Sequence, residues 1–408
     1  MLLHGIFPPI TTPFYPDGRV YLKKLEHNVE RYSKTPIAGV VVLGSTGEAI
    51  MLSDEERREV LRTAREACAP HKVLVAGTGA ESAIETLRLT EYAADLGYDA
   101  ALVRTPFFYR PQLKPANILA FYRTVADHSP IPVLIYSVPV FTGYDMPPEL
   151  VIELAGHSNI IGIKESGGDA EKIRRMVEGT RTIKRSATVT DTFAAVTPRM
   201  MKAVKSEWHM ENGDLVSVAT LSGENKMSHA ARTSHAAETS HVEKIGHVGT
   251  GALARSAEQG SAMGRTQSRS DVERLASHPS SPSVSIISGL KTRQKEVGFQ
   301  VLAGTAKKLQ PALEAGAVGA VVAFASPAPT ACYEIYAAWK EGDTDLARLK
   351  QERISATATR VSSELGIPGL KYALDLNGYY GGPPRLPLLP LTSDLKAEVD
   401  KLMFDLRN

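Results

Sequence analysis

The chain of 408 residues carries a formal net charge of +2 at neutral pH, which gives no reason to expect nucleic acid or an acidic partner. Hydrophobic residues make up 43% of the sequence, enough to bury a large core. No apolar run approaches the roughly 18 residues that a membrane span needs, and the first residues lack the features of a secretory signal. The two cysteines, Cys68 and Cys332, have no metal-binding or redox spacing. We therefore expect a soluble, cytoplasmic protein without a membrane or nucleic-acid partner.

Short apolar strands alternate with amphipathic helices along most of the chain. Eight apolar runs predict strands, at residues 5–10, 39–44, 73–77, 100–103, 133–136, 159–164, 298–304 and 318–324. Helical patterns follow them, and the second helix has a predicted capping box formed by Ser53 and Glu56. Strands that are apolar throughout and are each followed by a helix indicate a parallel sheet covered by helices.

Eight such units are the number that closes a (β/α)₈ barrel, the TIM-barrel form of the α/β class. The alternative is a doubly wound open sheet. Its dinucleotide-binding loop is missing, because Gly77-Thr78-Gly79 is followed by Ser82 where that loop has a third glycine. The sequence therefore favours a barrel, with units one to six in residues 1–183 and strands seven and eight in residues 296–330. Further helical patterns predict a C-terminal helical extension over residues 331–408.

Residues 184–295 interrupt this rhythm between helix six and strand seven. They are rich in Ser, His, Ala, Gly and Thr, and they greatly exceed the usual length of a loop. This composition predicts a long, low-complexity and disordered insertion. Since it follows a helix and precedes a strand, it should emerge at the amino-terminal face of the barrel, opposite the face that carries active sites. We expect it to be dispensable for chemistry.

Histidines recur inside this insertion at a spacing of six residues, as His229, His235, His241 and His247. That spacing places side chains on one face of a strand but not of a helix. A metal site is one interpretation, and a disordered segment, which we favour, is the other. A wrongly joined coding region is a third explanation.

Polar residues stand at the carboxyl ends of three predicted strands. Lys164 ends strand six, Tyr136 ends the neighbouring strand five, and Ser45 and Thr46 follow strand two between glycines. In a barrel these strand ends meet at one mouth. A buried lysine beside a phenol suits imine formation with a carbonyl substrate, and a glycine-flanked Ser-Thr turn suits a carboxylate. Each residue alone has an ordinary structural explanation, but their joint position favours chemistry.

Three motifs carry a resemblance to a known family. They are Gly44-Ser45-Thr46-Gly47-Glu48, Tyr136-Ser137-Val138-Pro139 with Thr142-Gly143, and Ile161-Gly162-Ile163-Lys164-Glu165-Ser166. Over residues 5–183 and 296–406 the chain resembles the dihydrodipicolinate synthase and N-acetylneuraminate lyase family. The resemblance implies a (β/α)₈ barrel, usually a homotetramer, that acts on pyruvate or a pyruvate-derived 2-oxo acid without a metal or organic cofactor.

The resemblance also assigns roles to residues. It implies that Lys164 forms the imine and that Tyr136, helped by Thr46, moves protons. Ser45, Thr46, Gly304 and Val321 would line the pocket for the pyruvyl group.

Two positions depart from the synthase branch of this family. That branch has an arginine before Thr142-Gly143 that binds the carboxylate of aspartate semialdehyde, and here the residue is Phe141. It also has a tyrosine that reaches a neighbouring subunit, where this chain has Phe108, with Tyr109 as the alternative. The phenyl ring of Phe141 cannot pair with a carboxylate, and the ring of Phe108 has no hydroxyl to complete the proton relay that the tyrosine serves in that branch. Both positions therefore argue against the synthase reaction.

Other motifs resemble the 4-hydroxy-2-oxoglutarate aldolase branch, although that branch usually has Asn at the position of Thr46. They span residues 136–139, 164–169, 299–304, 366–371 and 378–383. We therefore expect a lyase that cleaves a 4-hydroxy-2-oxo acid to pyruvate and an aldehyde such as glyoxylate. The alternatives are 4-hydroxy-tetrahydrodipicolinate synthase and a catalytically silent 2-oxo acid sensor or scaffold.

Overall fold

The computed structural model describes residues 1–201, 208–211, 214–217 and 291–407. The chain divides into two compact units, one of Met1–Glu207 with Gly289–Asn408 and one of Trp208–Ser288. In the second unit, Trp208–Glu211 pairs antiparallel with Asp214–Ser217. The repeated histidines lie outside the described residues.

A closed parallel barrel forms the centre of the first unit. Its strands are β1 (Gly5–Ile6), β2 (Gly39–Val42), β3 (Val73–Gly77), β4 (Ala100–Arg104), β5 (Val133–Ser137), β6 (Ile160–Glu165), β7 (Gln300–Ala303) and β8 (Gly319–Ala320). The sheet order is β1-β8-β7-β6-β5-β4-β3-β2. A parallel bridge between Pro9 and Val41, extended by a hydrogen bond from Ala38 N to Ile6 O, joins the two edge strands. The predicted (β/α)₈ TIM barrel is therefore confirmed.

Two strands are shorter than the sequence pattern suggests. β1 ends before Pro8 and Pro9, which have no N–H to donate to a ladder. β8 ends at Ala320, and the chain then forms a 3₁₀ turn at Ala323–Ala325. Both differences lie where the barrel closes between its first and last strands.

Helices cover the outside of the barrel. They are α1 (Leu22–Ser33), α2 (Asp54–Ala67), α3 (Ala83–Asp95), α4 (Pro115–His128), α5 (Pro148–Ala155), α6 (Ala170–Gly179), α7 (Leu309–Glu314) and α8 (Pro329–Lys340). The predicted capping box of α2 is confirmed: Ser53 Oγ accepts from Glu56 N at 3.2 Å, and Glu56 Oε2 accepts from Ser53 N at 2.9 Å. In the described parts of the chain, no helix has the length and apolarity to cross a membrane.

The C-terminal extension contains α9 (Thr344–Ala358), α10 (Gly366–Leu376) and α11 (Ser393–Met403). The sequence pattern predicts one helix over residues 345–364, but the last turn, Thr359–Glu364, is a π-helix. Hydroxyls of Thr359 and Ser362 donate to carbonyls four residues earlier. Such bonds compete with the regular backbone pattern and bend helices, which accounts for the difference.

Strand residues alternate between two cores, as the period of two requires. On β5, Leu134 and Tyr136 face the barrel interior and belong to its inner cluster, while Val133 and Ile135 pack under the helices. This alternation directs Tyr136, the inward residue nearest the carboxyl end of β5, toward the mouth of the barrel.

Two ordered segments flank the predicted insertion. Arg185–Thr190 pairs antiparallel with Thr292–Val297, and Ala195–Val196 pairs with Leu2–Leu3. Residues 185–190 and 292–295 thus form regular strands although the sequence places them in a disordered stretch. Alternating small apolar residues, the buried Ala187 and Val189, account for the order. The rest of the predicted domain division remains a prediction.

These flanking segments lie at the amino-terminal face of the barrel. Arg185 donates to the carbonyl of Ile160, at the start of β6. Arg199 forms an ion pair of 2.9 Å with Asp99, directly before β4. The chain therefore leaves and re-enters the barrel at the end opposite to Lys164.

Candidate active site

A cavity of about 1180 Å³ opens at the carboxyl ends of the strands. Five of the predicted site residues line it: Ser45, Thr46, Tyr136, Lys164 and Gly304. Among the described residues, Val321 is not part of this lining. It lies buried in the inner cluster of the barrel with Tyr136 and Leu302. The barrel thus brings together residues from β2, β5, β6 and β7 that lie far apart in the sequence.

Lys164 and Tyr136 face each other across neighbouring strands. The register of β5 and β6 pairs Tyr136 with Lys164, and Lys164 Nζ lies 4.0 Å from the centroid of the Tyr136 ring. Lys164 is only 4% exposed, and none of the described carboxylates forms an ion pair with it. Its amine is therefore available to a carbonyl carbon that enters the cavity.

The turn after β2 contacts the hydroxyl of Tyr136. Ser45–Gly47 forms one 3₁₀ turn, and Ser45 Oγ lies 2.8 Å from the hydroxyl of Tyr136, so either group can donate. A phenol held in this way is suited to pass a proton between a substrate and a second hydroxyl. Thr46 is buried in the same turn.

Strained backbone frames this turn. Among the described residues, Leu43 at φ 61° and Glu48 at φ 54° are the non-glycine residues with positive φ. Each costs conformational energy and persists only where the surroundings impose it. The position of the turn is therefore set by contacts outside the turn.

Gly304 and Ser166 close the cavity beside Lys164. Gly304 N donates to Glu165 O at 2.7 Å, and a Cβ at position 304 would collide with Ser166 Oγ. Only glycine permits this approach of β7 to β6. Ser166 Oγ is buried at the cavity without a hydrogen-bond partner in the described structure, so it is a further candidate for contact with a ligand. No role for Ser166 was expected from the sequence, although its position two residues after Lys164 was a signal.

Glu165 faces away from the cavity and anchors the end of β6. Its side chain is fully buried and forms an ion pair of 3.0 Å with Lys172 of α6. Lys172 also pairs with Asp145, and Gly167 N donates to Glu165 Oε1. These contacts fix the Ser166–Gly167 segment that lines the cavity.

The outer part of the mouth is less polar. Phe141, on a short helical turn at Pro139–Thr142, lines the cavity and is 66% exposed. Phe108 and Tyr109 are both exposed, with their rings 5.1 Å apart, and neither is among the described lining residues. Both rings therefore lie at the surface, outside the cavity of their own chain.

Glu81 holds the loop that carries Phe107 and Phe108. It accepts hydrogen bonds of 2.9 Å from the backbone N–H of each of them and a bond of 2.7 Å from Arg104. Burial alone would raise the pKa of Glu81, but these bonds lower it below its usual value. Its carboxylate therefore serves as the anchor of this loop.

Within residues 1–201 and 291–407, no three His, Cys, Asp or Glu side chains gather as metal ligands would.

A family model described as the Dihydrodipicolinate synthetase family matches residues 2–203 and 272–405. The chain belongs to this family. Curated relatives include the 4-hydroxy-tetrahydrodipicolinate synthase of Methanothrix thermoacetophila, 42% identical over 179 residues, which are 44% of this chain and 59% of the relative. That of Xanthomonas axonopodis pv. citri is 42% identical over 177 residues, 43% and 58% of the two chains. The matched segment spans about three fifths of these relatives.

Solved structures of the dihydrodipicolinate synthase family share the fold. The synthase of Thermotoga maritima superimposes with a TM-score of 0.65 at 20% identity over 99% of both chains. YagE, a prophage protein of this family from E. coli K12 solved in complex with pyruvate, has a TM-score of 0.66 at 22% identity over 100% of this chain and 99% of its own. At such identities the likeness establishes the barrel and not the substrate.

Proposed function

We propose that this protein is a class I aldolase or lyase that binds pyruvate, or a 2-oxo acid that yields pyruvate, as an imine on Lys164. One observation carries the proposal: Lys164 Nζ lies over the Tyr136 ring in a cavity where the Tyr136 hydroxyl contacts Ser45. An amine, a proton carrier and a polar turn are what imine chemistry on a 2-oxo acid needs.

Imine formation requires two proton movements. The amine of Lys164 adds to the ketone carbon, and the resulting carbinolamine loses its hydroxyl as water. The Tyr136 hydroxyl, hydrogen-bonded to Ser45, supplies the proton that the leaving hydroxyl takes up and receives one from the nitrogen. The N–H groups and hydroxyls of Ser45 and Thr46 would hold the carboxylate of the 2-oxo acid.

The imine then serves as the electron sink, so the proposal needs no cofactor. In the cleavage direction, the bond between C3 and C4 breaks, its electrons move to the imine nitrogen, and the C4 hydroxyl loses its proton as the aldehyde leaves. The resulting enamine takes up a proton at C3, and hydrolysis releases pyruvate and restores Lys164. The synthetic direction reverses these steps.

Two reactions differ in the second substrate. The names of the relatives favour 4-hydroxy-tetrahydrodipicolinate synthase, which condenses pyruvate with aspartate semialdehyde, over our expectation of a 4-hydroxy-2-oxo acid. Phe141 at the cavity mouth supports the second reaction, because its ring offers no charge to a second carboxylate. We keep the synthase reaction as the better supported and the hydroxy-oxo-acid cleavage as the second candidate.

Assembly and location are further parts of the proposal. The family resemblance supports a homotetramer. The two cysteines, both free and buried, are consistent with a reducing compartment such as the cytoplasm.

The test is mass spectrometry of the intact protein after incubation with pyruvate and borohydride. The wild type should gain one reduced pyruvyl group, Lys164→Ala should gain none, and Lys308→Ala, which removes an exposed lysine, should behave like the wild type. If the wild type gains no adduct, the enzyme proposal fails and the sensor or scaffold interpretation takes its place. Turnover of aspartate semialdehyde against glyoxylate then separates the two reactions.

A further inference from the structure

Glu48 ends the turn that presents Ser45 to Tyr136. Its backbone N–H donates to Ser45 O at 3.1 Å. Its backbone φ of 54° is one that residues other than glycine rarely adopt. The Glu48 side chain points away from solvent, with 1% of its surface exposed. A carboxylate buried this completely requires a partner.

Lys371 of α10 is that partner. Its Nζ lies 2.7 Å from Glu48 Oε1, and the Lys371 side chain is also 1% exposed. The same ammonium group donates to the carbonyls of Thr12 and Pro383, each at 2.9 Å, and it lies 4.3 Å from the centroid of the Phe14 ring. Burial lowers the pKa of Lys371 to about 8, and the charge of Glu48 opposes that shift.

Two further contacts connect this ion pair to its surroundings. Arg385 N donates to Glu48 Oε2 at 2.8 Å, and its guanidinium forms two bonds to Glu56 at the start of α2. Thr12, whose carbonyl accepts from Lys371, donates its own hydroxyl to Gly47 O at 2.6 Å. The C-terminal extension thus holds the side chain of Glu48, while Thr12, itself bound by Lys371, holds the carbonyl of Gly47.

We propose that the buried Glu48–Lys371 ion pair is a positioning device that holds Ser45 against the Tyr136 hydroxyl. Neither Glu48 Oε1 nor Lys371 Nζ needs to touch substrate for this role. The strained φ of Glu48 makes it necessary, because a turn ending in an unfavourable conformation relaxes unless its side chain is fixed. The C-terminal extension then positions the turn that carries Ser45 and is not only a cover for the barrel.

The inference rests on the proposed function, since it concerns the proton carrier of imine formation. The test measures the rate of imine formation, by quenching with borohydride at successive times after adding pyruvate, in Glu48→Gln, Lys371→Met and the double variant. We expect each single variant to form the adduct about 10²-fold more slowly, as misplacement by about 1 Å does in other sites. The double variant should be no slower than the slower single one, because the two residues act as a unit. The final yield at saturating pyruvate should stay that of the wild type, because Lys164 is intact.

A near-isosteric change covers the case in which Lys371→Met does not fold. Thr12→Val removes only the hydrogen bond to Gly47 O, and we expect adduct formation to slow by about tenfold, the upper range for one such bond. Arg199→Met is the matched control, since it breaks another buried ion pair, with Asp99, at the opposite face. It should lower the melting temperature and leave the rate of imine formation unchanged.

The outcomes separate the two proposals. A wild type without adduct overturns the proposed function and this inference together. A wild type with adduct, and a folded Glu48→Gln variant that forms it at the wild-type rate, overturns this inference alone, whatever the rate of Thr12→Val, because the Thr12 hydroxyl bonds Gly47 O and not the ion pair. Slowing by Arg199→Met equal to that by Glu48→Gln also overturns it, because the effect would then follow from lost stability.

Discussion

The side chain of Tyr136 contacts residues from two other parts of the barrel. Its ring centroid lies 4.0 Å from Nζ of Lys164 on the neighbouring strand β6. Its hydroxyl oxygen contacts Ser45, in the turn after β2. A phenol in this position can serve the nitrogen and the substrate oxygen in turn without a large movement. In the proposed reaction, one tyrosine with these two contacts would suffice for both proton transfers.

Phe141 lines the mouth of the cavity and bears most directly on which second substrate the proposed reaction uses. Phe141→Arg should raise kcat/KM for aspartate semialdehyde about ten- to a hundredfold, because a hydrogen bond to a charged group contributes about 1.5–3 kcal/mol. The value for glyoxylate should change little. Steady-state kinetics with both aldehydes measure this ratio, and Phe141→Leu controls for loss of the ring. Equal gains in the Arg and Leu variants would show that bulk, and not charge, limits the reaction.

At the scale of elements, the register between β5 and β6 places Lys164, and a buried ion pair fixes the end of β6 on α6. Glu165 has no access to solvent, so its pairing with Lys172 is obligatory in the folded state. A pair of this kind contributes little against a hydrophobic replacement of both residues, but the loss of one partner is costly. The carboxyl end of β6 thus depends on one lysine of the following helix.

Lys172→Met should therefore lower the free energy of unfolding by about 3–5 kcal/mol, since it leaves the Glu165 carboxylate buried and unpaired. Arg174→Met on the same helix removes a half-exposed pair with Glu171 and should cost less than about 1 kcal/mol. Urea unfolding followed by circular dichroism compares the two variants. Similar midpoints would mean that Glu165 finds another partner or takes up a proton.

The order of the strands and the residues at their carboxyl ends follow largely from the sequence. Strands β2 to β6 are apolar on both faces, so their runs stand out, and the converging strand ends predict Lys164, Tyr136 and Ser45 as neighbours. Val321 packs in the inner cluster of the barrel with Tyr136 and is not among the described lining residues, because a strand-end position alone does not tell which residues reach the cavity; its contact with the pyruvyl group stays a prediction. The Glu48–Lys371 pair had no local signal either, since it joins a turn and a helix from opposite ends of the chain.

At the scale of the whole molecule, the ordered flanks of the predicted insertion change where the barrel unit ends. Arg185–Thr190 and Thr292–Val297 form a strand pair, and Arg199 neutralises the buried Asp99 at the start of β4. Composition did not predict these elements, because half of the residues in Arg185–Thr190 are Ser or Thr and the alternation of apolar residues there is short. The barrel unit therefore includes residues on both sides that the sequence assigns to the insertion.

Two deletions distinguish the boundaries. Removal of residues 202–290, with a short Gly-Ser connection, retains the strand pair and the Arg199–Asp99 ion pair. It should leave unfolding and pyruvate adduct formation at the level of the full chain. Removal of residues 184–295, the insertion that the sequence predicts, leaves Asp99 buried without its cation and should destabilise the barrel by about 3–5 kcal/mol. Denaturant unfolding and borohydride trapping on both proteins make the comparison. If the shorter deletion abolishes the adduct in a folded protein, the removed segment takes part in function, and the expectation that it is dispensable is wrong.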